Sequence, residues 1–425
     1  MTHSKDNWLD SAEQDPALMA DFHKLCSFGG RLAGTPGEAA AMAWVVARLS
    51  EIGPSRQISV PYAGWRCLSA SLRLEGGAAL ACYPLLRSAD TPAEGLVGEV
   101  LDLGEGRTED FDLAGEAVHG RIVLVRHEYS FSSRHMHRRR KYDLAMARGA
   151  VGFLMANPLP PGGLLSGSSG RAVDGPGIPA AYVDATSCQA ILTAPAGTQV
   201  RLQIAGEEIR GAQAGIAMLD LPGGSGKTIV LSAHLDGHDL GQSALDNATG
   251  LSVALAAARA LAPRISQAGH GLRVCFFSAE EWALAGSAQY LSTLDPAERD
   301  SLALNINLDT VAGDDRLTAL ISDFAGLQPL VAEAAALSGV PADSYLPLMP
   351  NSDHANFARH GIPALRLVAG FDRPHSRVRH ILSAGDVPDI VEESELRQAL
   401  RLTCAMADIA LKLPQVGLAA LRQQD

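Results

Sequence analysis

Aromatic residues make up only 5% of this 425-residue chain and charged residues only 19%. With 47% hydrophobic residues there is ample material for buried cores, which excludes a disordered or low-complexity protein. Basic residues are in deficit: 35 Lys and Arg stand against 47 Asp and Glu, a net charge of −12. That deficit argues against nucleic acid as a partner, because phosphate binding needs clustered Lys and Arg. No run of 18 or more apolar residues occurs. The Ala/Leu-rich stretch 251–262 is interrupted by Arg259 and stopped by Pro263, so no membrane span or membrane partner is expected. Residues Met1 to Asn7 lead into no apolar stretch, and no secretory leader is expected there. The cysteines at 26, 67, 82, 188, 275 and 404 form no CxxC pair. They read as free thiols in a reducing compartment, and the expected location is cytoplasmic.

Two catalytic signatures are missing as well. There is no GxSxG, so a serine nucleophile elbow has no support. Gly223-Gly-Ser-Gly-Lys-Thr228 resembles a phosphate-binding loop only superficially. The glycine that the spacing requires is Leu221, and the segment precedes a strand where a P-loop would follow one. The basic run Arg134–Lys141 reads as a solvated helix start or loop.

The length implies two to three domains, and Gly 42 with Pro 23 implies many tight turns between short elements. Residues 17–52 carry helical periodicity that ends near Gly53-Pro54, followed by strand-like Gln57–Val60 and Leu68–Leu74. A different texture begins near Tyr83. Strand-like Gly120–Arg126, helical Lys141–Gly149, and strand-like Ala150–Ala156 and Gly177–Val183 make a self-contained small domain. From Lys227 onward, apolar strands alternate with helices. Thr228–Ser232, Arg273–Phe277, Leu302–Leu308 and Pro363–Val368 read as strands. Asn247–Leu261, Trp282–Leu294, Asp353–His360 and Ser394–Leu413 read as helices. Uninterrupted apolar strands alternating with helices indicate a mostly parallel sheet covered on both faces. The expected fold is therefore α/β, with a parallel or mixed central sheet from residues 1–83 and 205–425, and a smaller β-rich α+β insert at 84–204.

In such sheets chemistry gathers at the carboxyl ends of the strands. His234 and Asp236 follow the first of these strands, with Asp246 twelve residues beyond His234; Glu280 and Glu281 follow the second, and Asp309 the third. Taken singly, Asp246 would be an ordinary helix N-cap, His234 a satisfied core histidine, and Glu280-Glu281 a solvated helix start. Taken together they place four carboxylates at one sheet edge. Like charges at about 4 Å repel by about 4 kcal/mol at an effective dielectric near 20. Either several protonate or a cation lies among them, and Asp, Glu and His together suit zinc or a similar divalent ion.

Two ions fit better than one. In this reading Asp246 bridges, His234 and Asp309 hold one ion, and Glu281 with a second histidine holds the other. Asp236 is expected to accept the other imidazole N–H of His234. Glu280 remains as the general base for a water that the metal polarises.

These segments resemble the co-catalytic zinc aminopeptidase family, which also contains glutamate carboxypeptidase-like enzymes and is related to glutaminyl cyclases. The matching residues are Ser232–Asp236, Ala244–Gly250, Ser278–Glu281 with Gly286-Ser287, Asn307–Asp309, Ser352–Phe357, Gly361–Pro363 and, near the start, Arg31-Leu-Ala-Gly-Thr-Pro36. Gly120–Val125, Ala145–Gly152 and Ile178–Ala180 resemble a protease-associated insert. The resemblance implies His234, Asp246 (bridging), Glu281 and Asp309 as metal ligands, Glu280 as base, and a cis peptide at Asp246-Asn247. It implies two zinc ions, replaceable by cobalt or manganese, and hydrolysis of a peptide or amide bond, with aminopeptidase action on small peptides the first expectation. An amidase or dipeptidase for a small non-protein metabolite, or a non-hydrolytic relative that binds peptides or cyclises a terminal residue, is the alternative. The insert is expected to border the cleft and restrict substrate size.

The sequence departs from the family at its last ligand. Counted back from Ser383 and Asp386, the ligand position holds Leu382. His380, on the same face if the segment is a strand, is read as the replacement, with His375 as runner-up. His354 and Asp353 open a helix near the site; both are read as substrate-binding candidates, with a place behind the metal ligands the alternative for His354 and an N-cap or first-turn role the alternative for Asp353.

Overall fold

In Thr228–His234 every residue after the first is buried. A strand buried on both faces must have neighbours on both edges and helices above and below. The computed structural model, which describes residues 8–424, supplies both. Residues Met1 to Asn7, over which the sequence predicts no leader, lie outside the described residues. Gly271–Phe277 and Leu302–Leu308 flank this strand in parallel, and Ala364–Ala369 lies parallel beyond Leu302–Leu308. Antiparallel strands close the edges. Gln213–Leu221 lies beside Gly271–Phe277, and Ser55–Pro61 lies outside it. On the far side Leu317–Leu320 pairs antiparallel with Ala364–Ala369 and parallel with Ala342–Tyr345. The result is an eight-stranded mixed sheet with a parallel centre.

Helices cover it as the periodicity predicts. Thr249–Leu261, rich in buried Ala and Leu, packs with Glu393–Lys412 on the central strand, and Pro36–Ser50 packs on the two antiparallel edge strands. Pro36–Ser50 begins with Thr35 as N-cap, its hydroxyl accepting the Glu38 N–H at 3.3 Å, and Pro36 at the first turn. Among the described residues no helix is long and apolar enough to cross a membrane.

The chain divides into two units. One comprises the described residues up to Tyr62 with 213–381 and 386–424; the other comprises Ala63–Ala212 with Leu382–Gly385. The second unit has its own eight-stranded sheet. Leu96–Asp102, Ile122–Arg126, Gly152–Ala156 and Ala180–Val183 run parallel through its middle, and antiparallel strands lie at both ends. Its core is built by Leu72, Ile122, Leu124, Leu154, Val183 and Leu202.

Two expectations change. The insert does not run from 84 to 204. Gly64–Leu74 and Gln199–Ile209 pair with each other, and Gln199–Ile209 also pairs with Leu96–Asp102, so both strands belong to the second unit. The exchange falls where Pro61 pairs with Gln213 at the end of the first unit's edge ladder. The helical periodicity over 17–52 is also interrupted. Leu18–Cys26 and Pro36–Ser50 are separate helices, joined by a loop in which Gly29, Arg31 and Gly34 have positive φ. Helix periodicity alone does not register such a break when both flanking helices bury the same kind of face.

Candidate metal centre

Three neighbouring parallel strands end side by side. His234 is the last residue of Thr228–His234 and pairs in register with Phe277, after which Glu280 and Glu281 follow. Asp309 follows Leu302–Leu308 on the other side. Two non-glycine residues in the left-handed region, Ala279 (φ 60°) and Thr310 (φ 60°), turn the chain sharply at these strand ends. Asp246 comes from an irregular turn, Ala244–Ala248, ahead of helix Thr249–Leu261, and the Asp246-Asn247 peptide is cis. All five side chains converge.

His234 Nε2 lies 3.0 Å from Asp246 and 3.6 Å from Asp309. Ligand atoms of His234, Asp246 and Asp309 all lie within 4.8 Å of one another. So do those of His238, Asp246 and Glu281, and an overlapping set is His234, Glu280 and Glu281. Asp246 is common to the first two triplets. His238 Nε2 is 2.6 Å from Glu281 Oε1.

A frame of buried polar groups holds these residues. The Asp386 carboxylate accepts the main-chain N–H groups of Leu245 (2.7 Å) and Asp246 (3.2 Å). The Asp236 carboxylate accepts those of Glu280 (3.0 Å) and Glu281 (3.2 Å). Asn247 ties the shared turn to the next strand, donating to the Leu308 carbonyl and accepting from Gly250 and Thr310. Arg31 Nε donates to the Leu235 carbonyl, Nη1 to those of Leu25, Gly29 and Gln242, and Nη2 to that of Ser243. It thereby clamps both ends of the loop that carries His238. Gly30 packs so closely on that loop that a Cβ there would fall 1.7 Å from the His238 carbonyl oxygen. Gly286 plays the same part behind Glu280, where a Cβ would fall 1.9 Å from the Ser278 carbonyl oxygen.

The electrostatics show a shortage of positive charge. Burial pushes Glu280 well above the usual carboxylate range; His234 opposes this, while Glu281, Asp353 and Asp309 reinforce it. Burial raises Glu281 too, against the pull of His238. Burial alone would also raise Asp309, but Arg366, 3.0 Å away, and His234 hold it well below that range. Burial would lower His234, yet Glu280 and Asp309 hold it well above the ordinary histidine range. Buried carboxylates crowd imidazoles that carry too little charge to neutralise them all. His234 Nε2 and Glu281 Oε1 are buried without a hydrogen bond among the described residues. Imidazole and carboxylate oxygen form the donor set of a borderline divalent cation such as zinc, so the residues present fit that ion.

The structure thus brings His234, Asp246, Glu280, Glu281 and Asp309 to one place, and places five other expected residues differently. Asp236 does not bond the His234 ring through its carboxylate, which is 3.8 Å away. Its backbone carbonyl lies 2.9 Å from His234 Nδ1, and the carboxylate is occupied by the 280–281 amides. His380 ends a single 3-10 turn, Arg377–His380, so the two-residue alternation assumed for a strand does not apply, and it joins none of the triplets. His375 is exposed. Asp353 and His354 are wholly buried at the start of helix His354–Arg359 and offer no surface to a substrate. Asp353 accepts from Ser287 at 2.5 Å, and burial pushes its carboxyl up to about 7.

Sequence reasoning missed two residues. Arg366 stood out only as a lone charge in the apolar run Pro363–Val368. His238 had one signal, a second imidazole four residues after the first ligand, but the loop it occupies has no periodicity to mark a face.

Comparison with known proteins shows what the chain is similar to. Residues 216–406 match the model of peptidase family M28, and residues 81–191 match that of the PA domain. A probable lipoprotein aminopeptidase of Mycobacterium tuberculosis, LpqL, is 28% identical over 386 residues, covering 83% of this chain and 73% of that protein. Among solved structures, a peptidase M28 precursor from Shewanella amazonensis superposes with a TM-score of 0.77 at 20% identity, covering 96% of each chain. A zinc aminopeptidase from Bacillus subtilis gives 0.74 at 21% identity, covering 93% of this chain and 95% of that one.

Proposed function

We propose that this metallopeptidase, whose residues 216–406 match peptidase family M28 and whose residues 81–191 match the PA domain, is an M28 aminopeptidase for small peptides, working through a two-zinc centre. The observation that carries the reading is the pair of ligand triplets sharing Asp246. His234, Asp246 and Asp309 would hold one zinc; Asp246 and Glu281 would contribute to the other. Bound zinc polarises a substrate carbonyl and acidifies a water.

The remaining work falls to the protein's own groups. Glu280, beside a ligand and held by the Asp236 carboxylate through its main chain, takes a proton from the attacking water and passes it to the departing amine. Arg366 fixes the orientation of Asp309, and Asp386 that of Asp246. Every residue of the two triplets is at most 8% exposed, which favours the end of an extended chain over a folded surface as substrate. A cytoplasmic setting belongs to the same reading, supported by six free cysteines, and cell fractionation checks it.

The test is a panel of aminoacyl-p-nitroanilides and short peptides, each with a free or an acetylated terminus. The expected result is release of the N-terminal residue from the free-amine substrates only, abolished by a chelator and restored by zinc. A fully zinc-loaded protein inert towards every free-amine substrate would refute the reading. Cleavage of the acetylated series alone would favour an amidase.

A further inference from the structure

The family resemblance places the last imidazole ligand where this chain has Leu382, which has no donor atom. His380, the nearest histidine in sequence, lies in none of the ligand triplets. We propose that His238 takes over this ligand role, completing the second cation site with Glu281 and Asp246. The inference rests on the two-zinc reading above and adds a ligand which that reading leaves unassigned.

Four observations support it. His238, 2% exposed, brings Nε2 to 2.6 Å from Glu281 Oε1. Its ligand atom and those of Asp246 and Glu281 lie within 4.8 Å of one another. The carboxylate it shares, Asp246, also belongs to the triplet formed with His234 and Asp309, so the two sites abut as a bridged pair requires. Glu281 Oε1 is buried and its short contact is with the His238 ring, so both ligand atoms turn towards this triplet.

The loop is also built to hold the ring. The His238 main-chain N–H donates to Ser243 Oγ at 2.9 Å. Arg31 pins Leu235 at one end of the loop and Gln242 and Ser243 at the other. Gly30 lets the His238 carbonyl approach within a distance that no Cβ would allow. A histidine four residues beyond His234 thus reaches the far triplet because the loop between them is folded back and clamped. The contrasting explanation is that His238 and Glu281 form only a buried ion pair.

Metal content separates the two. The full-length wild type and the His238→Ala, His238→Gln and His380→Ala variants are loaded with zinc, freed of excess and analysed for zinc per chain. Competition with a chelating dye gives the two affinities, and cobalt substitution gives the visible spectrum. The expected result is two ions in the wild type and in His380→Ala. Both His238 variants should retain one, with the second bound about 100-fold more weakly or worse and part of the cobalt spectrum lost. Two ions with unchanged affinities in either folded His238 variant would overturn the proposal. So would loss of an ion in His380→Ala, a result that stands even if the His238 variants misfold. A wild type that binds one ion overturns it while sparing the peptidase reading. A wild type that binds none removes both.

Discussion

Asp386 accepts the main-chain N–H of Asp246 at 3.2 Å across 140 residues of sequence, and that of Leu245 beside it. The carboxylate shared by both triplets is therefore aimed by another carboxylate that belongs to neither. Replacing Asp386 with Ala strands two buried donors, at about 1–3 kcal/mol each. We expect lower stability and about 10–100-fold weaker zinc binding, with Asp386→Asn intermediate. Denaturant titration and zinc competition check this. Wild-type zinc affinity in Asp386→Ala would show that the frame does not aim Asp246.

Arg31 tests the clamp from the other side. Its guanidinium serves five carbonyls from Leu25 to Ser243. An ammonium cannot span that set, so Arg31→Lys is not conservative here. The expected loss is about 3 kcal/mol of unfolding free energy, with the second zinc weakened more than the first. Equal weakening of both ions would count against a specific link to the loop of His238.

Glu280 should separate chemistry from metal binding. Glu280→Gln keeps the shape of the side chain but removes the base. Turnover is expected to fall about 100- to 10,000-fold, with zinc content unchanged. A variant that loses a zinc instead would make Glu280 a ligand, as the third overlapping triplet allows.

The second unit should be sensitive to acid. Burial holds the His127 ring well below the ordinary histidine range, and His135, Arg138 and Lys141 act in the same direction. His135 is pushed by burial and the same neighbouring cations to about 3. The sign follows from proton uptake. Below about pH 6.5 the unfolded chain binds protons on these rings and the native chain does not, so stability is full above that pH and falls as pH drops. For each such ring the slope approaches about 1.4 kcal/mol per pH unit. Denaturant curves of the full chain at pH 7.5, 6.5 and 5.5 should show the decline, and His127→Phe should make it shallower. Identical slopes would exclude His127 as a contributor.

Much of the site was legible because strand ends are. Runs such as Leu302–Leu308, broken only by Asn305 and Asn307, are largely apolar and stop at a carboxylate, and parallel packing then brings their ends together. What escaped detection lies in geometry that residue types do not encode. His234 Nδ1 donates to the backbone carbonyl of Asp236, and composition cannot distinguish that from a bond to its side chain. The break at 27–35 hid inside a continuous helical pattern, although Arg31 within it turned out to hold the site together. His238 carries no periodic mark in the sequence, because its ring reaches Glu281 through a folded loop, whereas His380 lies next to the family's ligand position along the chain. The insert boundary was misplaced because Gly64–Leu74 and Gln199–Ile209 look like any exposed antiparallel strands, and only their ladder partners show to which sheet they belong.

The excursion of the chain into residues 63–212 begins and ends at facing partners, Pro61 and Gln213, of one antiparallel ladder. A hairpin turn could bridge those two positions, so the PA domain occupies the place of a loop. The strands that deliver His234, Glu280 and Asp309 all lie outside that excursion, so the ladder from Ser55 to Leu221 is closed across it as it would be across a short turn.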